Sequence, residues 1–242
     1  MAARHPQNTN LTLHTQGLFQ GLPAQLHRGP LIKEYLEQIL RTICNALREH
    51  PRTFAVRVDL HLPDYFNYLE KAGTSVISRF TASLKAQVSA DIESKSRKGL
   101  RVHPCTVRHI WAKEKNSSLL DHYHVVLFFN RDAYNRLGSL TADSGNIAAR
   151  IKRAWASALG VDFVFVENLV QFAKNGTYCV NAGSVPDNRS ASEIYWDDIN
   201  GRSGRPLDIR SLESLFARLS YLAKADSKNY GDRSKSFDCS RA

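Results

Sequence analysis

The segment His122–Asn130, which reads HYHVVLFFN, places the strongest constraint on the fold of this chain. Side chains of a strand alternate between its two faces, so His122, His124 and Val126 share one face. Tyr123 lies on the other face with more apolar residues. Because both faces are largely apolar, the segment predicts a central strand that is covered on both sides.

His122 and His124 stand on the same face at the start of this strand. Burying a polar group without a partner costs about 1–3 kcal/mol, so two imidazoles in this position need partners. A divalent metal bound by both rings would be one such partner. The plainer alternative is two strand-end histidines hydrogen-bonded to water or backbone, and the isolated pattern favours that alternative.

The preceding segment offers a carboxylate to the same face. Residues 103–114 are predicted to form a strand, and the loop that follows is short enough for an antiparallel hairpin. If Glu114 pairs with His122, then Ala112 pairs with His124, and directly opposed residues share a face. This register is a hypothesis that brings Glu114 together with both histidines, with the small Ala112 leaving space above the sheet.

The rest of the chain alternates between helical and extended patterns. Apolar stripes at helical spacing predict helices at residues 31–50, 74–98, 146–159 and 208–225. Alternating apolar residues predict further strands at 54–62, 161–172 and 177–181, with the last two joined by a turn at Asn175-Gly176. We therefore expect an α+β fold, with a domain at residues 51–242 built on an antiparallel central sheet. Residues 1–50 would form a loose arm (1–28) and a helix, and residues 183–206 a long surface loop.

The chain is basic, since 33 Lys and Arg residues face 23 Asp and Glu residues for a net charge of +10. This excess suggests a polyanionic partner, most simply nucleic acid, with an acidic membrane surface as an alternative. A basic helix can follow a phosphate backbone, although a solvated helix face is the plainer interpretation. The cations predicted to contact DNA are Arg79, Lys85, Lys95, Arg97, Lys98 and Lys228.

Several classes of protein are excluded by what the sequence lacks. No apolar run approaches the length of about 18 residues that a membrane span needs, and no secretory signal is visible. The four cysteines lie far apart without a Cys-x-x-Cys motif, which argues against a zinc knuckle or a disulfide framework. The sequence contains no G-x-x-x-x-G-K-[ST] loop, which is the phosphate-binding motif of many ATPases. We expect a soluble cytoplasmic protein with free thiols and no membrane partner.

Tyr221 stands out in the last predicted helix because it projects away from the apolar stripe, with Lys224 following about one turn later. The helix therefore does not need Tyr221 for docking. A surface tyrosine near a helix end carries no function by itself. Tyrosine can, however, be a covalent nucleophile, a metal makes phosphorus easier to attack, and an ammonium can offset phosphoryl charge. Together with the histidine strand, Tyr221 and Lys224 indicate phosphoryl transfer.

These motifs resemble a known superfamily. The His-Tyr-His strand, the preceding carboxylate and the later Tyr-Leu-Ala-Lys resemble the HUH endonucleases, which include rolling-circle replication initiators and relaxases. The stretches FAVRVDLHLP, HYHVVLFFN, AWASALG and SYLAKADSK are similar to the inovirus-type replication protein family, also called the YagK/YfjJ C-terminal domain family. The resemblance covers most of residues 50–240. It implies an RRM-like antiparallel sheet with helices packed on it, and nicking of single-stranded DNA through a 5′-phosphotyrosine.

The resemblance assigns roles residue by residue. His122 and His124 match the metal-binding histidines, Tyr221 matches the nucleophile, and Lys224 matches the lysine that follows it. Glu114 corresponds in placement to the acidic third ligand of some initiators. Several metals suit two imidazoles and one carboxylate, and the resemblance favours Mg²⁺ or Mn²⁺.

Two features depart from the family pattern. The residue between the histidines is Tyr123 rather than an aliphatic one, and Tyr230 is a second tyrosine in the tail, which leaves the choice of nucleophile open. Asp59 lies in the strand of the poorly defined first motif and receives no role.

The predicted function is a replication initiation endonuclease of a phage, prophage or plasmid that nicks and joins single-stranded DNA. The helicase domain of larger initiators is absent, so a host helicase and a polymerase are expected partners. One alternative is a non-catalytic DNA-binding regulator on the same fold. Another is a metal-dependent phosphodiesterase that uses water.

Overall fold

The structure is a computed structural model that describes residues 3–63, 74–115, 121–182, 209–226, 228, 230 and 235–241. The predicted loop at 183–206 lies outside the described residues. In chain order the elements are β1 (Arg4–His5), β2 (Asn8–His14), β3 (Leu18–Phe19), β4 (Leu22–Pro23), β5 (Leu31–Ile32), α1 (Lys33–Glu49), β6 (Arg52–His61), α2 (Thr74–Arg97), β7 (Arg108–Lys115), β8 (Asp121–Asn130), α3 (Ile147–Leu159), a 3₁₀ helix (Phe163–Val166), β9 (Val170–Asn181), α4 (Ile209–Ser220), a second 3₁₀ helix (Tyr221–Ala223) and β10 (Phe237–Cys239).

The centre of the molecule is a five-stranded antiparallel sheet with the order β10-β7-β8-β6-β9. Strand β8 occupies the middle and pairs with β6 on one side and β7 on the other. Residues on both of its faces, such as Tyr123 and Val126, are buried. The expected α+β fold and the central, doubly covered strand are therefore confirmed.

Two apolar layers cover the two faces of this sheet. On one face Val125 packs in a cluster with Phe80 of α2 and Trp155 of α3. On the other face Val126 packs in a cluster with α1 and α4, which contribute residues such as Ile39 and Phe216. Because His122 and His124 share the face of Val126, they lie on the side of α1 and α4.

Helix α3 begins and ends where its capping residues stand. The side chain of Asn146 accepts a hydrogen bond from the backbone N–H of Ala149, which satisfies one of the free amides of the first turn. Gly160 closes the helix with a φ of 71°, a left-handed conformation that suits glycine. The predicted helix at 146–159 is confirmed.

The last helix ends earlier than the sequence predicts. Helix α4 stops at Ser220, and a single 3₁₀ turn, Tyr221–Ala223, replaces the expected α-helical end at residue 225. The chain leaves the helix here because the N-terminal segment binds its backbone: Lys224 forms a β-bridge with Leu31, and the N–H of Ala225 donates to the carbonyl of Pro30.

The prediction of two strands joined by a turn is wrong, because one strand, β9, spans both. Val161–Phe172 is not a strand throughout, because a 3₁₀ helix occupies Phe163–Val166. The remaining residues form one bulged strand, both halves of which pair with the 10-residue strand β6. The extra residues protrude as a bulge rather than reversing the chain, because β6 offers partners to both halves. A Cβ atom on Gly176, within the bulge, would lie 2.7 Å from the carbonyl oxygen of Ala173.

The strand before the histidine strand is shorter than the sequence predicts. Strand β7 begins at Arg108, and residues 103–107 precede it without strand pairing.

The segment expected to be a loose arm contains β1 to β4, and its Phe19 and Leu22 are buried in the core that α1 and α4 share. These two apolar side chains anchor the segment, so a loose arm is wrong. The division of the chain at residue 50 stays a prediction.

None of the helices in the described ranges is long and apolar enough to cross a membrane. The four cysteines are free thiols, as their spacing predicts.

Candidate active site

The hairpin of β7 and β8 has the register that the sequence predicts. Glu114 pairs with His122, and Ala112 pairs with His124. The three polar side chains therefore converge on one face, and all three are buried. Ala112, which is small, lies beside them in the sheet.

Strand β6 adds a second polar row on the other side of β8. His61 pairs with His122 and Asp59 pairs with His124, while Arg57 follows at the next position on the same face. The pairing places the polar face of β6 beside the two histidines.

Glu114, His122 and His124 form a group of donors that could hold a metal ion. One ligand atom from each residue lies within 4.8 Å of the others. The Nε2 atom of His124 is 3.2 Å from Oε2 of Glu114 and 3.2 Å from Nε2 of His122. Burial and the neighbouring His124 lower the pKa of His122 to about 4, so its ring is neutral at pH 7. Two imidazole nitrogens and a carboxylate oxygen suit several divalent cations, and the expected Mg²⁺ or Mn²⁺ stays a prediction.

Asp59 fixes the orientation of His124. Its Oδ1 atom lies 2.6 Å from Nδ1 of the imidazole, which directs Nε2 toward Glu114 and His122. Burial alone would raise the pKa of Asp59 and lower that of His124. The hydrogen bond between them and the neighbouring opposite charges together outweigh burial in both cases, so the pKa of Asp59 is lowered and that of His124 is raised. A carboxylate behind a histidine is typical of metal sites. The sequence alone indicates no role for Asp59.

Two lysines neutralise Glu114. Lys224 Nζ lies 2.7 Å from Oε2, and Lys228 Nζ lies 3.3 Å from Oε1. Burial alone would raise the pKa of Glu114, but the hydrogen bond with His124 and the charge of Lys228 keep it well below its usual range. Burial lowers the pKa of Lys228 to about 8. Lys228 was predicted to contact DNA, yet its ammonium is fully buried in this cluster, where a surface strand of DNA cannot reach it.

Tyr221 opens the 3₁₀ turn and lies on the same side of the sheet as the histidines. Lys224 Nζ donates a hydrogen bond of 2.7 Å to its hydroxyl oxygen. Its ring centroid is 6.0 Å from that of His124 and 6.3 Å from that of His27, which stacks on it. Burial alone would lower the pKa of Lys224, but its hydrogen bonds to Glu114 and Tyr221 raise it. The phenol, the lysine and the metal-ligand candidates thus form one cluster.

The second tyrosine has a different environment. The hydroxyl of Tyr230 is 3.2 Å from that of Tyr35, and its ring makes an edge contact with His5. Burial and the Tyr35 hydroxyl raise the pKa of Tyr230, which disfavours the phenolate. Of the two tyrosines that the sequence left open, the geometry favours Tyr221 as a nucleophile.

The basic residues of α2 lie on the opposite face of the sheet, since α2 packs in the cluster that contains Val125. Lys95 forms an ion pair of 2.7 Å with Asp91, and Arg79 Nε donates to the carbonyl of Ala158. The exposed cations of this helix are Arg79, Lys85 and Arg97, and Lys98 is exposed directly after it. DNA contact through α2 stays a prediction, and it would occur on the face away from Tyr221.

Fold and site together define an α+β domain that carries a Glu-His-His-Tyr-Lys cluster on one face of an antiparallel sheet. The profile of the YagK/YfjJ C-terminal domain family matches residues 14–194, and the chain belongs to this family.

Two relatives from Escherichia coli (strain K12) are similar over nearly their whole length. The chain is 33% identical to YagK over 219 residues, which cover 88% of the chain and 95% of YagK. It is 30% identical to YfjJ over 221 residues, which cover 88% of the chain and 96% of YfjJ. Both relatives are described as uncharacterized proteins. No solved structure matches the chain significantly.

Proposed function

We propose that the protein is a replication initiation endonuclease of a phage, prophage or plasmid, which nicks and joins single-stranded DNA through a 5′-phosphotyrosine on Tyr221. The observation that carries this proposal is the double contact of Lys224. Its ammonium lies 2.7 Å from the Tyr221 hydroxyl and 2.7 Å from Oε2 of Glu114. A nucleophile thereby adjoins the candidate ligands of a divalent cation. The resemblance of the His-Tyr-His strand and the Tyr-Leu-Ala-Lys turn to HUH endonucleases supports the same chemistry.

The proposed reaction is an in-line displacement at phosphorus. The Tyr221 oxygen loses its proton to solvent and attacks the phosphodiester, and the bond from phosphorus to the 3′-oxygen breaks. The 3′-oxygen takes a proton from water, while the 5′-phosphate stays on the tyrosine. Attack by a 3′-hydroxyl on that phosphotyrosine reverses the steps and joins DNA. The free 3′-hydroxyl could prime a polymerase after a host helicase separates the strands.

Each residue of the cluster has its own role in the proposed reaction. Lys224 donates to the phenol oxygen, which stabilises the phenolate and offsets charge on the phosphoryl group. His122, His124 and Glu114 would hold Mg²⁺ or Mn²⁺, which when bound polarises a phosphoryl oxygen. Asp59 keeps the His124 ring in place through its 2.6 Å contact.

The test is covalent capture of DNA. A pool of single-stranded oligonucleotides of random sequence, labelled at the 3′ end, is incubated with the protein and Mn²⁺. A 5′-phosphotyrosine carries the 3′ label onto the protein, so a labelled band should appear on a denaturing gel. Tyr221→Phe should abolish the band, and Tyr230→Phe, the matched control, should retain it.

Other outcomes overturn the proposal. A labelled band that persists in Tyr221→Phe would show that Tyr221 is not the nucleophile. The DNA could also be cut without any labelled band. If His124→Ala abolishes this cutting and Tyr221→Phe retains it, the reaction is hydrolysis by water.

A second function, a non-catalytic DNA-binding regulator, has one observation in its favour. Glu114 is balanced by two lysine ammoniums and by His124, so its charge is satisfied within the chain. Tight binding of the same oligonucleotide pool without any covalent band, across Mg²⁺ and Mn²⁺, would support the regulator.

A further inference from the structure

Arg57 places a guanidinium against the ring of Tyr221. Its Cζ atom is 5.5 Å from the ring centroid, and only 13% of its side chain is exposed. Its Nε atom is buried and has no hydrogen-bond partner among the described residues. The nearest carboxylate oxygen, Oδ1 of Asp59, is 3.7 Å away, which is beyond hydrogen-bonding distance. A permanently charged guanidinium is thus largely buried, and its Nε–H donor is unpaired among the described residues.

The neighbouring charges are engaged elsewhere. Oδ1 of Asp59 is held by Nδ1 of His124 at 2.6 Å, which explains the long contact with Arg57. The other two cations of the cluster, Lys224 and Lys228, both contact Glu114. Arg57 is therefore the cation of this cluster whose donors are not taken by a carboxylate.

Burying a cation without full compensation is unfavourable, so a site that keeps one is expected to bind an anion. The guanidinium is planar and presents paired N–H donors that match the oxygens of a phosphate group. Arg57 and Lys224 both lie against the Tyr221 ring, with Lys224 Nζ 4.3 Å from its centroid. Lys224 also contacts the Tyr221 hydroxyl, so a phosphate at that hydroxyl would lie beside Lys224 and near the ring on which Arg57 rests.

We infer that Arg57 binds a non-bridging oxygen of the scissile phosphodiester and stabilises the charge that develops there as Tyr221 attacks. This inference rests on the proposed function. Arg57 forms and breaks no covalent bond and keeps its proton throughout. It is a second phosphate-contacting cation beside Lys224, supplied by β6 rather than by the turn that carries the tyrosine.

The first test compares Arg57→Gln with Arg52→Gln, which removes the same charge from the same strand. Arg52 is exposed and pairs with Asp132 at 2.7 Å, away from the cluster. With an oligonucleotide recovered from covalent capture, Arg57→Gln should lower kcat about 100-fold, the effect of losing one donor to a developing oxyanion. Arg57→Lys should lose less, and Arg52→Gln should match the wild type. A wild-type protein that nicks DNA and an Arg57→Gln variant with unchanged kcat would overturn the inference.

The second test uses the wild-type protein alone and does not need the variant to fold. The Nε–H signal of Arg57, assigned through its connectivity to the backbone resonances of the wild type, is followed by NMR during a titration with inorganic phosphate. The signal should shift as the phosphate binds, while that of Arg52 should stay in place. No shift at Arg57 would overturn the inference. If the wild type forms no covalent band but the signal shifts, the tyrosine chemistry is wrong and phosphate binding by Arg57 stands.

Discussion

Asp59 and His124 meet across neighbouring strands, with the carboxylate Oδ1 2.6 Å from Nδ1 of the ring. The two residues are 65 positions apart in the chain, and the antiparallel pairing of β6 with β8 sets them directly opposite each other. The sheet itself therefore fixes which nitrogen of His124 faces Glu114 and His122.

Removing the Asp59 carboxylate should weaken metal binding. In Asp59→Asn the imidazole of His124 loses its charged partner, and such a loss costs about 10- to 100-fold in metal affinity. Isothermal titration with Mn²⁺ measures the effect. Asp132→Asn, which breaks the surface pair with Arg52, is the control and should bind as the wild type does. Equal affinity in both variants would contradict the role of Asp59.

Glu114 should be needed for stability because it compensates the charge of Lys228, whose ammonium is fully buried. Glu114→Gln leaves that charge without its partner and should lower the free energy of unfolding by about 3–5 kcal/mol. Adding Lys228→Met removes the stranded charge and should recover part of the loss. Urea unfolding measures both variants. A double variant no more stable than Glu114→Gln would show that the two groups do not interact.

His109 should make the protein less stable in mild acid. Burial and the nearby Lys85 lower its pKa to about 4, whereas an unfolded histidine has a pKa of about 6.5. The unfolded chain therefore binds more protons between these values, so stability is fully present above about pH 6.5 and falls as the pH drops toward 4. His109→Gln should unfold with a smaller pH dependence in this window. His103→Gln, in the segment before β7, should keep the wild-type slope; equal slopes in both variants would contradict the prediction.

The cap of α3 should contribute measurably to stability. Asn146→Ala removes the acceptor of the Ala149 N–H bond, which has a length of 2.8 Å, and should cost about 1 kcal/mol. Thermal unfolding measures the change. Asn146→Asp keeps an acceptor and should lose much less. If the alanine and aspartate variants unfold alike, the capping bond contributes little.

The sequence was most informative where the structure is local. The register of Glu114 against His122 follows from a short hairpin, because this pairing also sets the apolar Ile110 and Trp111 opposite Val126 and Val125 in the middle of the strand. The helix at residues 147–159 follows in the same way, from its own stripe and caps.

What the sequence could not reveal depends on non-local pairing. The alternating sequence of β6 does not indicate that this strand lies beside β8. The contact of Asp59 with His124 and that of Arg57 with Tyr221 therefore could not be predicted from the sequence. Lys228 sits in a polar tail with no periodicity, so nothing in the neighbouring sequence indicates its burial against Glu114. The bulge in β9 likewise follows from the length of its neighbour.

The backbone contacts of Pro30 and Leu31 with Ala225 and Lys224 have a practical consequence for dissecting the molecule. The strand that supports the tyrosine turn comes from the opposite end of the sequence. A fragment that begins at α1 would keep both histidines and the tyrosine but lose this support for the turn that holds the phenol near the imidazoles. Deleting the first 32 residues should therefore impair the chemistry without touching any reactive group.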